Sequence, residues 1–183
     1  MVIAKLEALR HQRFSKPLPF GDALTAYDHV RKYTHTITVS LGASLNEAGG
    51  GFVHANRNFA RWPNLSGPGD PPGPAAYYIE SLYLLLHENR HNEPGDPGHT
   101  SCATAWDGET GLPNGMDAQF EPGSGYAYAA LYLMWVYKYG LYDSPEVRAQ
   151  AKADAISLKG RFCAKPASAN PDVQALLTEL WMV

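Results

Sequence analysis

The stretch Ala75-Ala76-Tyr77-Tyr78-Ile79-Glu80-Ser81-Leu82-Tyr83-Leu84-Leu85-Leu86-His87-Glu88-Asn89-Arg90-His91-Asn92 decides how the chain is read. It contains neither Gly nor Pro. Its apolar positions Tyr77, Ile79, Leu82, Tyr83, Leu85 and Leu86 are dense enough for a helix buried in the core. Pro94-Gly95 and Pro97-Gly98 then stop it, because proline removes a helical donor and glycine accepts the left-handed turn that follows. The apolar run ends in a polar turn, Leu86-His87-Glu88-Asn89-Arg90-His91, so it carries titratable groups into the protein.

Residues four apart on a helix lie one above the other on the same face. His87 and His91 therefore aim two imidazoles at a single point, and imidazole suits zinc. Glu88 is rotated by one residue, which sets its carboxylate beside that point, where a base takes a proton from water. The bland alternative is a surface helix end with two solvated histidines. A catalytic zinc takes three protein ligands and keeps an open position. His99 is the nearest third donor, since the two Pro-Gly pairs reverse the chain under the helix end. Asp96, Asp117 and Glu121 are rival ligands, because carboxylates also bind zinc.

The motif resembles the zincin superfamily of metallopeptidases, marked by a helical His-Glu-x-x-His. With a glycine turn and a downstream His, it is most similar to the metzincin branch. The likeness covers about Tyr77 to Met116. Metzincins place five residues between the second and third His, whereas seven lie between His91 and His99, and Gly95 stands one position later than the family's glycine. The resemblance implies His87, His91 and His99 as zinc ligands, Glu88 as general base, and Met116 as the methionine turn beneath the metal.

Downstream, Ser124 is placed to cap an aromatic helix from Tyr126 to Tyr139 that ends at Gly140. On it, a hydroxyl of Tyr126 or Tyr128 can donate to an oxyanion. The competing reading of the Tyr126, Tyr128 and Tyr132 stripe is core packing with wet tips. Ser144-Pro145 and Asn170-Pro171 open two more helices, the second running to about Trp181. Arg90 reads as a partner of Glu93 on a solvated face. Cys102, three residues past His99, either pairs with Cys163 and tethers the loop or remains a buried thiol.

Upstream, Pro63 to Pro74 is too rich in Pro and Gly for helix or sheet and reads as a surface loop. Thr34 to Leu41 alternates as a half-exposed strand, Gly49-Gly50-Gly51 is a turn, and Gly51 to Ala55 returns as a partner strand. His35 and His54 on these strands can line a cleft. Asp22 to Tyr33 suits a short helix, and Pro17 and Pro19 end an earlier one.

The whole predicts a mainly α (α+β) fold in one domain, residues 1–183, with a small β-sheet or hairpin in the N-terminal third. A formal charge of −3 and 15 scattered basic residues argue against a nucleic-acid partner. No apolar run reaches the roughly 18–20 residues of a membrane span. Charge arrives too early after Met1 for a signal peptide, so the chain is expected either to stay inside the cell or to be an exported mature form. The expected activity is zinc-dependent (Zn2+) hydrolysis of a peptide. The alternatives are a hydrolase of small esters or amides and a non-catalytic zinc-stabilised binding domain.

Overall fold

In the computed structural model, which describes residues 2–20, 25–39, 47–55 and 74–182, the elements follow in this order. Helices α1 (Val2–His11) and α2 (Ala26–Tyr33) precede strands β1 (Thr36–Val39), β2 (Glu47–Gly49) and β3 (Phe52–Ala55). Then come α3 (Pro74–His91), α4 (Gly125–Tyr139), α5 (Pro145–Ser157), a 3-10 turn (Lys159–Arg161) and α6 (Pro171–Trp181). This is the mainly helical α+β arrangement that the sequence predicts, with its sheet near the front. The helix expected from Asp22 begins only at Ala26, because Thr25 is extended and caps it by accepting from Asp28 N. The strand end at Ser40 and Leu41 and the Pro/Gly loop 63–73 lie outside the described residues, as does the side chain of Tyr77.

α3 is the axis of the molecule. Ile79, Leu82, Leu85 and Leu86 are fully buried, and each such side chain contributes about 1.5–3 kcal/mol by leaving water. α4 packs along α3 and is buried almost all round from Ala127 to Val136. α5 closes the third side, and α6 is pinned to it by the Trp181 indole, which donates to the Ala155 carbonyl (2.9 Å). The caps expected at α5 and α6 are present: Ser144 Oγ accepts from Val147 N, and Asn170 Oδ1 from Asp172 N and Val173 N. None of the described helices is long and apolar enough to cross a membrane.

The sheet has the order β1-β3-β2, with β1 parallel and β2 antiparallel to β3. The glycine turn therefore joins β3 to β2, a strand too short to be predicted, and not to β1. Gly50 and Gly51 both have positive φ (60° and 85°), as a tight two-residue hairpin requires. The hairpin is tied to the end of α3 by Asn92, whose Oδ1 accepts from Gly51 N and whose Nδ2 donates to Phe52 O and Thr34 Oγ1. One turn earlier, Asn89 accepts from the Thr34 hydroxyl (2.7 Å) and donates to the His29 carbonyl. The two asparagines fix how the last turn of α3 is rotated, and with it where His87 and His91 point.

The segment between α3 and α4 has little regular structure but is firmly held. Thr100 pairs with Met116, and Asp117 pairs with Phe162 beside the Cys102–Cys163 disulfide (Cα–Cα 5.8 Å). Trp106 is bonded through its backbone to Phe162 and through its indole to Lys159 O.

Candidate metal centre

His87 and His91 leave α3 on one face, and the loop brings His99 to meet them. The three rings each offer a nitrogen within 4.8 Å of the others, and His87 is buried while His91 and His99 are half-buried. This group could hold a metal ion. His87 Nε2 and His99 Nε2 are 3.1 Å apart. Two nitrogens so close need a proton or a cation between them. Tetrahedral coordination with bonds of about 2.0–2.1 Å sets ligand nitrogens about 3.3 Å apart, so this pair stands at the spacing of two ligands on one small cation.

The outer nitrogens are held as well. His91 Nδ1 donates to Asp96 Oδ2 (2.8 Å), and His99 Nδ1 donates to Asp117 Oδ1 (2.9 Å). A proton committed at Nδ1 leaves the Nε2 lone pair of a neutral ring for a cation. Asp96 and Asp117, weighed in sequence as rival ligands, thus orient two of the three imidazole rings. Glu121 is exposed and serves elsewhere, accepting from Ser168 Oγ and Ala169 N.

Both orienting carboxylates are anchored at the start of α4. Asp117 is fully buried, and its Oδ2 accepts from Ser124 N (3.0 Å) and Ala127 N (2.9 Å). Ser124 stands at the predicted cap position, yet its hydroxyl donates to Asp96 Oδ1 (2.7 Å). The helix is capped from a distance by Asp117, which satisfies donors that would otherwise be orphaned. Gly125 completes the arrangement. A Cβ there would come within 2.6 Å of His87 Nε2, so only glycine leaves room for that imidazole.

The electrostatics follow from these contacts. Burial, reinforced by His91 and His99, holds the His87 pKa well below its usual value, so the ring is neutral. Burial also pulls on His91, but its bond to Asp96 outweighs it and the pKa rises. Burial would raise Asp96, and its bonds with His91 and Ser124 overcome that and lower it.

The triad opens into a cavity of about 720 Å³. Glu88, only 6% exposed, lines it beside His87 and His91. Tyr83, Leu84 and Leu158 form apolar wall, and Asn114, Tyr126 and Arg161 stand across from the helix. The Tyr126 ring packs against His87 (4.6 Å between centroids) and His99 (4.8 Å). Burial raises its pKa, opposed by the charge of Arg161, and its hydroxyl keeps its proton at neutral pH.

Tyr128 is placed differently. Its ring stacks on Phe20 and lies under Arg90, its hydroxyl donates to Glu93 Oε2 (3.3 Å), and it is not among the residues lining the cavity. Arg90 does pair with Glu93 (2.9 Å), but the solvated-face reading is corrected: the pair is buried, with Arg90 Nε also donating to Gly123 O. His29 joins the same cluster, its Nε2 lying 2.6 Å from Glu93 Oε1. A helix end this polar looks exposed in sequence, but its partners arrive from three other segments. Met116 is fully buried, its backbone paired with Thr100 next to His99. His54 packs its ring on Phe52, and His35 lines a separate cavity of about 240 Å³ with Leu6 and Tyr27.

Sequence reasoning missed Gly125 and Arg161. Gly125 precedes an aromatic helix and reads as an ordinary helix start. Arg161 is remote in sequence and carries no motif. Compared with protein families, curated proteins and solved structures, the chain matches none.

Proposed function

We propose that this chain is a zinc-dependent hydrolase acting on amide bonds of peptides or on small esters and amides. The observation that carries the reading is the convergence of His87, His91 and His99 beside the Glu88 carboxylate at the wall of one cavity. The local resemblance of His87-Glu88-Asn89-Arg90-His91 to the zincin motif supports it. So does the number of donors: among the described residues the cluster has three, as catalytic zinc sites do, where structural sites close with four.

His87, His91 and His99 would hold the ion through nitrogens already aimed at one point, with Asp96 and Asp117 retaining the protons on the far side of two of the rings. When bound, zinc polarises a carbonyl and lowers the pKa of water from about 15.7 toward 7. Glu88 takes the proton that water loses as its oxygen bonds to the carbonyl carbon. It then delivers that proton to the nitrogen as the C–N bond breaks. The Tyr126 hydroxyl donates to the oxygen on which charge develops. The Cys102–Cys163 disulfide supports an oxidising working compartment, as expected of an exported form.

The test combines elemental analysis with hydrolysis of a peptide library. The protein should carry one zinc, lose activity on chelation and regain it with zinc. Glu88→Gln should keep the metal and lose about 10²–10⁴-fold in kcat. A protein without stoichiometric metal, or a Glu88→Gln variant of undiminished activity, overturns the reading.

A further inference from the structure

Arg161 faces the triad's cavity from the 3-10 turn after α5. Its guanidinium lies over the Tyr126 ring (5.0 Å to the centroid), the same ring that packs on His87 and His99. It makes no ion pair among the described residues. Among the described residues its side chain makes a single hydrogen bond, a long one from Nη1 to the Gly115 carbonyl at 3.4 Å. Toward the described residues, most of the five N–H donors of this side chain are thus uncommitted. Two acids near it are engaged elsewhere: Asp96 by His91 and Ser124, and Asp117 by His99 and the start of α4.

Its position is also fixed. Arg161 O accepts from Asp117 N (2.8 Å), the residue whose side chain orients His99. Two residues on, Cys163 is tied by the disulfide. The cation and the third imidazole are therefore held in one frame, one aromatic ring apart. A planar guanidinium stacked on an aromatic face presents a fork that matches a carboxylate. The guanidinium lies within about 10 Å of the His99 ring on the wall of the same cavity, a span that one or two extended residues at about 3.3–3.6 Å each can bridge.

We infer that Arg161 receives a carboxylate of the substrate, so that the site takes short peptides whose free C-terminal carboxylate lies one or two residues beyond the amide to be cut. This rests on the hydrolase reading of His87, Glu88, His91 and His99. Arg161 selects which amide reaches them.

The test uses matched blocked peptides, N-acetyl-Phe-Ala and N-acetyl-Phe-Ala-Ala, each as free acid and as C-terminal amide. The zinc-loaded protein should favour the acids by about 10- to 100-fold in kcat/KM. Arg161→Gln should bring the acid-to-amide ratio close to one, chiefly through KM. Arg161→Lys, which keeps charge without the fork, should restore part of it. The same peptides are titrated into metal-free wild type and Arg161→Gln by NMR, with zinc content and circular dichroism checking the fold of each variant. If hydrolysis fails altogether but acids bind more tightly than amides in an Arg161-dependent way, the hydrolase reading falls and the carboxylate site stands. If acids and amides bind or are cleaved alike, or the preference survives Arg161→Gln, the inference is overturned whatever the fate of the hydrolase.

Discussion

The last turn of α3 has two polar faces, and they are satisfied in opposite ways. On one, Asn89, Arg90 and Asn92 find partners inside the protein: Thr34, Gly51 and Phe52 for the asparagines, Glu93, Gly95 and Gly123 for the arginine. On the other, His87 and His91 meet His99, with Glu88 beside them, around a point bordering a cavity. The difference is one of incompleteness. A buried polar network normally closes on itself, because an unsatisfied group costs about 1–3 kcal/mol. A set of nitrogens converging on a common point closes when something else arrives.

The sharpest way to break this comparison is to open the closed face. Arg90→Met removes one partner of a buried pair and leaves Glu93 with only His29 and the Tyr128 hydroxyl, which costs up to about 3–5 kcal/mol. Urea unfolding should show that loss with or without zinc. A loss under 1 kcal/mol would mean that the network carries little. By contrast His99→Ala on the open face should abolish tight zinc binding while costing the metal-free protein less, about 1–3 kcal/mol for the bond it leaves open on buried Asp117.

A second test lies where the two faces share support. Asp117 both orients His99 and caps α4, so Asp117→Asn should weaken zinc binding about 10–100-fold and also destabilise the metal-free fold by about 1 kcal/mol. Gly125→Ala should weaken zinc by a purely steric route, since its methyl would press on the His87 ring. The split is checked by competition with a chelator dye alongside unfolding curves. If Asp117→Asn left affinity untouched, the bond to His99 would have no orienting role.

How much of this could be read in advance follows the same division. The apolar run of α3, the Ser144-Pro145 and Asn170-Pro171 starts, and the i, i+4 geometry of His87 and His91 are local facts, set by periodicity and caps. The third imidazole is nearly local, since two Pro-Gly turns return the chain. Beyond that, information is lost. Asp96 and Asp117 were visible as acids, but whether an acid binds a cation or a ring N–H depends on where α4 begins in space. Ser124 sits at the predicted cap position, yet its hydroxyl serves Asp96. Arg90 looked solvated because its shield, Tyr128 and Gly123, comes from a distant segment. Gly125 and Arg161 act only through contacts, so nothing in their neighbourhood marks them.

The weakest expected effect concerns another closed polar contact on α3, Ser81, which accepts from Lys5 Nζ (2.5 Å). Burial lowers the Lys5 pKa to about 8, Glu80 opposing it. Between that value and the 10.5 of the unfolded chain, the unfolded state binds the additional proton, so stability should rise with pH from about 8. The rise is modest, because the ammonium is partly solvated. It is cut short near pH 10. There the unfolded chain begins to ionise tyrosines such as Tyr78 and Tyr128, which burial holds up to about 12 in the fold. A folded group that keeps its proton while the unfolded one loses it makes stability fall as pH climbs. Thermal unfolding should therefore show a shallow maximum near pH 10 in the wild type. Lys5→Met should lose the rising limb and keep the falling one. A variant that kept both would show that Lys5 is as well solvated folded as unfolded, and this contact would no longer count among the closed ones on α3.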